Sequence, residues 1–222
     1  MYRLVIIVVS LILTLGAADA RAAGPSDVIQ EAVGLLTEGL DTRREELAAD
    51  EEALYSFIDD ILSPRFDRRF AASLVLGKHW RKADDEQKDR FIAAFYATLL
   101  HKYASKLLEF EMDRIEIMPY RGDATKMTTD VKTRVRLDDG TNILVYYTLV
   151  KRKDEWRMFD VTIEGVSYIF SFGTDFEQEI RQTSLESVIK RLENDAGFVA
   201  ETGAADKATA VEVATVKAAA NE

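Results

Sequence analysis

His79 and His101 are the only imidazoles of this chain, and cysteine is absent. Thiolate catalysis, disulfides and Cys-based zinc or iron–sulfur sites are excluded at once. His79 stands beside Trp80 at the expected end of a helix, and His101 stands inside a helical run, between apolar residues and Lys102. Neither has a second histidine or a carboxylate at metal-ligand spacing on its own helix, so both read as surface or partly buried side chains. Glu45-Glu46, Asp50-Glu51-Glu52 and Asp59-Asp60 are paired carboxylates by sequence, but acidic runs on helices are normally solvated faces. Asp160 and Glu164, on one strand face with Thr162, are the acids most worth watching. Gly165-Val166-Ser167-Tyr168-Ile169 lacks the second glycine of a nucleophile elbow, and no phosphate-binding glycine loop, dinucleotide fingerprint or EF-hand loop occurs. An enzyme is therefore not expected, and neither a cofactor nor a metal.

Composition narrows the classes further. The 222 residues are 47% apolar and 31% charged, which suits a folded domain rather than a disordered chain. A net charge of −10, from 29 basic and 39 acidic residues, repels phosphate backbones and removes nucleic acid from the expected partners. Met1-Tyr2-Arg3 precedes an uncharged run, Leu4 to Leu15. Twelve helical residues reach only about 18 Å, short of a hydrocarbon layer of roughly 30 Å. The run ends in Ala18-Asp19-Ala20-Arg21-Ala22, which offers the small-x-small cleavage pattern twice. Residues 1–22 therefore read as a signal peptide, cut after Ala20 or Ala22. No cysteine follows it, so a lipoprotein is excluded, and a bacterial source would place the mature chain in the periplasm.

The elements that must position any site change character midway. Residues 26 to 62 are helical in pattern, capped by Ser26 or Asp27, with an interruption possible at Gly39 or within Asp41 to Glu46. A second helix, Asp50 to Leu62, stops at Pro64. Phe66 to Leu76 continues as a helix that ends at Gly77. Asp84-Asp85-Glu86-Gln87 has the form of a capping box and opens a helix to about Phe110, with Phe91, Phe95, Leu99, Tyr103 and Leu107 in one i, i+4 row.

After Met112 the apolar period falls from 3.6 to 2. Ile115 and Ile117 start the first strand, and Val131 to Leu137 forms the second. The turn Asp138-Asp139-Gly140-Thr141 leads to Ile143 to Val150, which is apolar on both faces. Trp156 to Val166 returns, with Phe159, Val161 and Ile163 expected on one face and Trp156 and Met158 on the other. Helices follow at about Tyr168 to Arg181 and Ser184 to Leu192. Beyond Phe198, residues 199–222 are alanine-rich and read as a mobile tail. The class is α+β, a four-stranded antiparallel sheet packed with several helices and a helical N-terminal half.

This pattern holds much apolar surface and no chemical constellation for it to serve. A broad apolar helix face opposite a curved sheet can enclose a space between the layers. An ordinary close-packed core gives the same periodicity.

Two blocks of residues carry a resemblance. Phe70 to Ala83 with Glu86-Gln87, Phe91, Phe95, Leu99-Leu100 and Tyr103, and then Trp156 to Asp160-Val161-Thr162-Ile163-Glu164-Gly165-Val166-Ser167, resemble the Mla-type periplasmic phospholipid-binding proteins, the MlaC or toluene-tolerance auxiliary family. The match covers roughly residues 27 to 195. The resemblance implies an NTF2-like or cystatin-like fold over 23–198 (helical 26–110, sheet 113–166, helices 168–195) and a soluble carrier with phospholipid as cargo. It implies exchange with an MCE-domain protein of an inner-membrane ABC transporter and with an outer-membrane lipoprotein–porin complex, serving outer-membrane lipid asymmetry. A monomer is expected. The lining positions expected from it are Leu76, Phe95, Leu99, Tyr103, Val135, Val145, Tyr147, Val161, Ile163, Val166 and Ile169. Val166 is preferred among them because it follows Gly165, where the strand breaks. An adaptor or chaperone that holds no lipid is the alternative.

Overall fold

The computed structural model describes residues 23–109, 114–137 and 139–202; the expected signal peptide and almost all of the expected tail lie outside them. Helix α1 (Pro25–Ala49) begins two to three residues earlier than its sequence suggests. Gly24, not Ser26 or Asp27, is the N-cap, because Pro25 at the first helical position loses nothing by lacking an N–H. Asp27 works from inside the first turn, its carboxylate accepting from the Gly24 amide at 2.8 Å. The expected interruption is a kink at Arg43 (φ −127°, ψ 15°). Asp50 then caps α2 (Glu51–Leu62) by accepting from the Ala53 amide at 3.0 Å. Pro64 lies in a single 3-10 turn, Ser63–Arg65. Helix α3 (Arg68–Leu76) ends at Gly77, whose φ of 49° a side chain would resist. In front of α4 (Asp85–Glu109), Asp84 and Gln87 make the reciprocal capping box, at 2.8 and 3.4 Å.

Five antiparallel strands follow in the spatial order of the chain: β1 (Ile115–Ile117), β2 (Thr128–Arg136), β3 (Asn142–Arg152), β4 (Glu155–Ile163) and β5 (Val166–Ser167). Sequence alone predicts four. The fifth exists because Glu164 and Gly165 both take positive φ, 49° and 84°, and fold the chain back after Ile163. A second difference lies in β4. The register slips between Thr148 and Leu149, which pair with Asp160 and Met158 and leave Phe159 as the extra residue of a bulge. Trp156 and Met158 are thereby returned to the face of Val161 and Ile163, where they pack with Leu149, Val28 and Ile29. Phe159, expected with Val161 and Ile163, instead packs toward α3 and meets the Phe70 ring at 4.9 Å.

Helix α5 (Tyr168–Gln182) leaves β5 directly, and α6 (Leu185–Thr202) runs past its expected end near Leu192. Most of the buried apolar side chains among the described residues form three clusters. One joins α3, α4, α5 and α6 around Phe91, Phe95 and Phe176; one joins α1, α2 and α4 around Leu40, Leu54 and Ala104; the third seats α1 on the sheet.

Candidate functional site

Strand alternation and register decide which expected residues meet. In register, Val135 faces Ile143, Val145 faces both Thr133 and Ile163, and Tyr147 faces both Val131 and Val161. Val135, Val145, Tyr147, Val161 and Ile163 therefore occupy one sheet face, the inner one, which continues into the face where α1 packs. Val135 and Val145 are buried, yet they join none of the three clusters of described residues. Burial raises the Tyr147 phenol pKa, opposed by a hydrogen bond with Thr133, although its ring is only half-covered. Tyr147 packs against the third cluster, while Val161 and Ile163 beside it are incompletely covered and belong to none of the three.

The α4 row splits along its length. Phe95 is enclosed by the rings of Phe91, Phe172 and Phe176, with centroids 5.4 to 5.9 Å away, and fills core. Leu99 is half-buried against the same cluster. Tyr103 meets Tyr168 at the start of α5, 5.7 Å away and edge-on. Lys102 and Lys106 hold their ammonium groups 5.7 and 5.6 Å from the Tyr103 ring.

Leu76 and Ile169 lie elsewhere, in a groove of about 600 Å³ between the end of α3 and the start of α5, with Leu74, Phe159, Phe170 and Gly173 also lining it. Phe170 is 77% exposed and Leu74 44%. Val166, 57% exposed, precedes Ser167 of the groove. The expected set thus divides between the inner sheet face and this groove, with Phe95 and Leu99 in the cluster that also holds Leu76 and Ile169. Sequence reasoning missed Leu74, Phe170 and Tyr168. The signal for Phe170 was present: Tyr168, Ile169 and Phe170 are consecutive, and a period of 3.6 cannot turn three neighbours inward.

One charge cluster stands at the rim. The Glu177 carboxylate binds Lys78 Nζ, His79 Nε2 at 2.7 Å and Arg181 Nε at 2.6 Å. The bond from Lys78, helped by those from His79 and Arg181, holds its pKa down at about 2. The watched acids have local tasks. Asp160 accepts from the Ser167 hydroxyl at 2.6 Å and the Ile169 amide at 3.0 Å, which fixes the first turn of α5. Glu164 accepts from the Leu144 amide at 2.8 Å. His101 stacks on Tyr55, 4.3 Å between centroids, and burial lowers its pKa. Among the described residues, no group of three or more His, Asp or Glu is placed to hold a metal, and no helix is long and apolar enough to cross a membrane.

Comparison with known proteins agrees with this architecture. The family model described as MlaC protein matches residues 30–194. The toluene tolerance protein ttg2D of Pseudomonas putida is 28% identical over 181 residues, which is 81% of this chain and 83% of that protein. The intermembrane phospholipid transport system binding protein MlaC of Haemophilus influenzae is 21% identical over 175 residues, 78% of this chain and 82% of its own. A phospholipid-binding protein from Ralstonia solanacearum, solved in complex with a phospholipid, shares the fold at a TM-score of 0.71 and 18% identity, over 81% of this chain and 100% of that one.

Proposed function

The chain belongs to the MlaC protein family, and on that premise we propose that it is a periplasmic carrier that shields phospholipid acyl chains and moves lipid between the two membranes. The observation that carries this reading is the inner sheet face, where Val161 and Ile163 are apolar, incompletely covered and outside the three packed clusters, next to Tyr147 at the edge of the third. Exposing tails to water costs about 0.8 kcal/mol per methylene, so a chain of about fifteen carbons costs on the order of 12 kcal/mol. A bare lipid does not cross an aqueous gap against that cost. Apolar contact that tolerates shape supplies the shield, and loose packing lets the cargo leave.

In this reading residues 1–22 are the leader, 23–198 the carrier domain and 199–222 an appended tail. The inner-membrane partner is an MCE-domain protein of an ABC transporter, and the outer-membrane partner is a lipoprotein associated with porins. The chain needs no catalytic residue, and transport serves outer-membrane asymmetry.

Detergent-free purification from the periplasm, organic extraction and lipid mass spectrometry test the reading. Stoichiometric phospholipid is expected. Val166→Glu should fold, since Val166 is exposed, and should lose the lipid, because a carboxylate disfavours an acyl chain beside it. A wild-type protein that purifies empty, and takes up no phospholipid from vesicles, would point to the lipid-free adaptor instead.

A further inference from the structure

The face of the sheet turned away from Val135 and Val145 has its own chemistry. On β2, Lys132, Arg134 and Arg136 alternate with the inward Val131, Thr133 and Val135, so three cations share the outer face of one strand. Around the hairpin end of β2 and β3 this face forms a dent of about 720 Å³, lined by Arg114, Glu116, Arg134, Arg136, Asn142 and the turn residue Gly140. Among its described lining residues, guanidinium groups outnumber carboxylates three to one in a chain of net charge −10. The carboxylate of Glu116 is engaged by Arg134 at 2.8 Å, and that of Asp139 in the adjoining turn accepts the Thr141 amide at 2.9 Å. Among the described residues, the exposed Arg136 guanidinium makes no hydrogen bond or ion pair, and Asn142 lies directly opposite it in register.

We propose that this arginine-lined dent on the outer face of the sheet, centred on Arg134 and Arg136, binds a phosphate group, that of a phospholipid headgroup at a membrane surface. Planar guanidinium forks match phosphate oxygens in pairs, and the Asn142 amide adds a neutral donor beside them. Among the described residues the dent offers a single apolar side chain, Leu137, and is otherwise lined by charged and amide groups, which favours a phosphate over the packed core of a protein interface. In a chain whose net charge is repelled by an anionic bilayer, a cation-lined face that binds headgroup phosphate would orient the protein as it lands. The site goes beyond the carrier reading and does not depend on it, since the arginines point away from the inner sheet face.

The test uses the full chain, with phosphatidylglycerol vesicles in a sedimentation assay and glycerol 3-phosphate followed by amide NMR shifts. Wild type is expected to sediment with the vesicles, less so as salt rises, and to show shifts at Arg136 and Asn142 with glycerol 3-phosphate. Arg136→Glu should weaken both by at least about tenfold, and Arg136→Lys should recover part of the loss. Shifts without sedimentation would keep the phosphate site and assign it to a soluble phosphate ester, overturning the headgroup source. Absence of shifts, or vesicle binding equal in wild type and Arg136→Glu, would overturn the site. Copurifying lipid is measured on the same samples, and it should be unchanged by Arg136→Glu, so failure of the carrier reading is seen separately.

Discussion

Gly173 of α5 lies against the backbone of Val75 in α3, so close that a Cβ added at 173 would sit 3.4 Å from the Val75 carbonyl oxygen. That is the near edge of ordinary contact, and alanine fits there. Gly39 of α1 is equally helical, yet a Cβ at 39 would fall 2.1 Å from Cζ of the Phe57 ring in α2. Replacing glycine by alanine within a helix gains about 1 kcal/mol where nothing is displaced. Gly173→Ala should therefore raise Tm by about 2 to 4 °C. Gly39→Ala should lower it, because the ring must move and overpacking costs about 1 to 3 kcal/mol. Thermal melts of the two variants check the pair, and equal shifts would contradict the geometry.

The carboxylate of Glu177 ties α5 to Lys78 and His79 beyond the end of α3. Its pKa in the folded chain is held down at about 2, below the ordinary carboxylate value of 4.5. A carboxylate depressed by folding contributes stability that is fully present above the unfolded value and is lost as pH falls through the folded one. Between about pH 5 and pH 2 the wild type should therefore lose stability more steeply than Glu177→Gln, and the two curves should converge toward pH 2. Denaturant midpoints across that range check this; parallel curves would show that the cluster is not formed in solution.

What could be read in the sequence follows from how local each signal is. The capping box at Asp84 and Gln87, the stop at Gly77 and the hairpin at Gly140 need only a few adjacent residues, and all three are found where expected. The bulge at Phe159 is different. Trp156, Met158, Phe159, Val161 and Ile163 are all apolar, so strict alternation and alternation with one extra residue fit the pattern equally well, and only pairing with β3 decides. The fifth strand was hidden for a related reason, since Glu164 gives no sign in sequence that it will take positive φ. The site was legible as residue types and not as places. Leu76 and Val145 are both buried and apolar, but one lies by the groove and the other on the inner sheet face, a distinction set by tertiary packing.

Asp160 illustrates how a structural acid can imitate a catalytic one. Its two hydrogen bonds hold the Ser167 hydroxyl and the Ile169 amide at the start of α5. Asp160→Ala should cost about 0.5 to 2 kcal/mol, the range for a lost helix-capping group. Glu164→Gln and His101→Gln should leave lipid content unchanged. Differential scanning calorimetry alongside lipid extraction separates the two kinds of effect. Loss of bound lipid in His101→Gln at unaltered stability would mean that the imidazole has a role beyond packing.

Ile163 provides the sharpest test of whether the inner sheet face borders space. It is half-buried, faces Val145 on β3 and Val166 on β5, and stands outside the three clusters. Tryptophan at this position adds a ring that a filled interior has no room for, and overpacking there would cost about 1 to 3 kcal/mol. Where space exists, the ring occupies it and buries apolar surface at no such cost. Ile163→Trp should therefore keep its Tm within about 2 °C of wild type, since a cost of 1 kcal/mol moves Tm by about 2 to 4 °C in a chain of this size. The same variant should carry less phospholipid, because the indole stands where a tail would lie. Val161→Trp, two residues along the same face, should behave alike. Melting and lipid mass spectrometry on one preparation read both quantities. A large fall in Tm for both variants, with lipid content unchanged in whatever remains folded, would place the cargo elsewhere and leave the α3–α5 groove as its site.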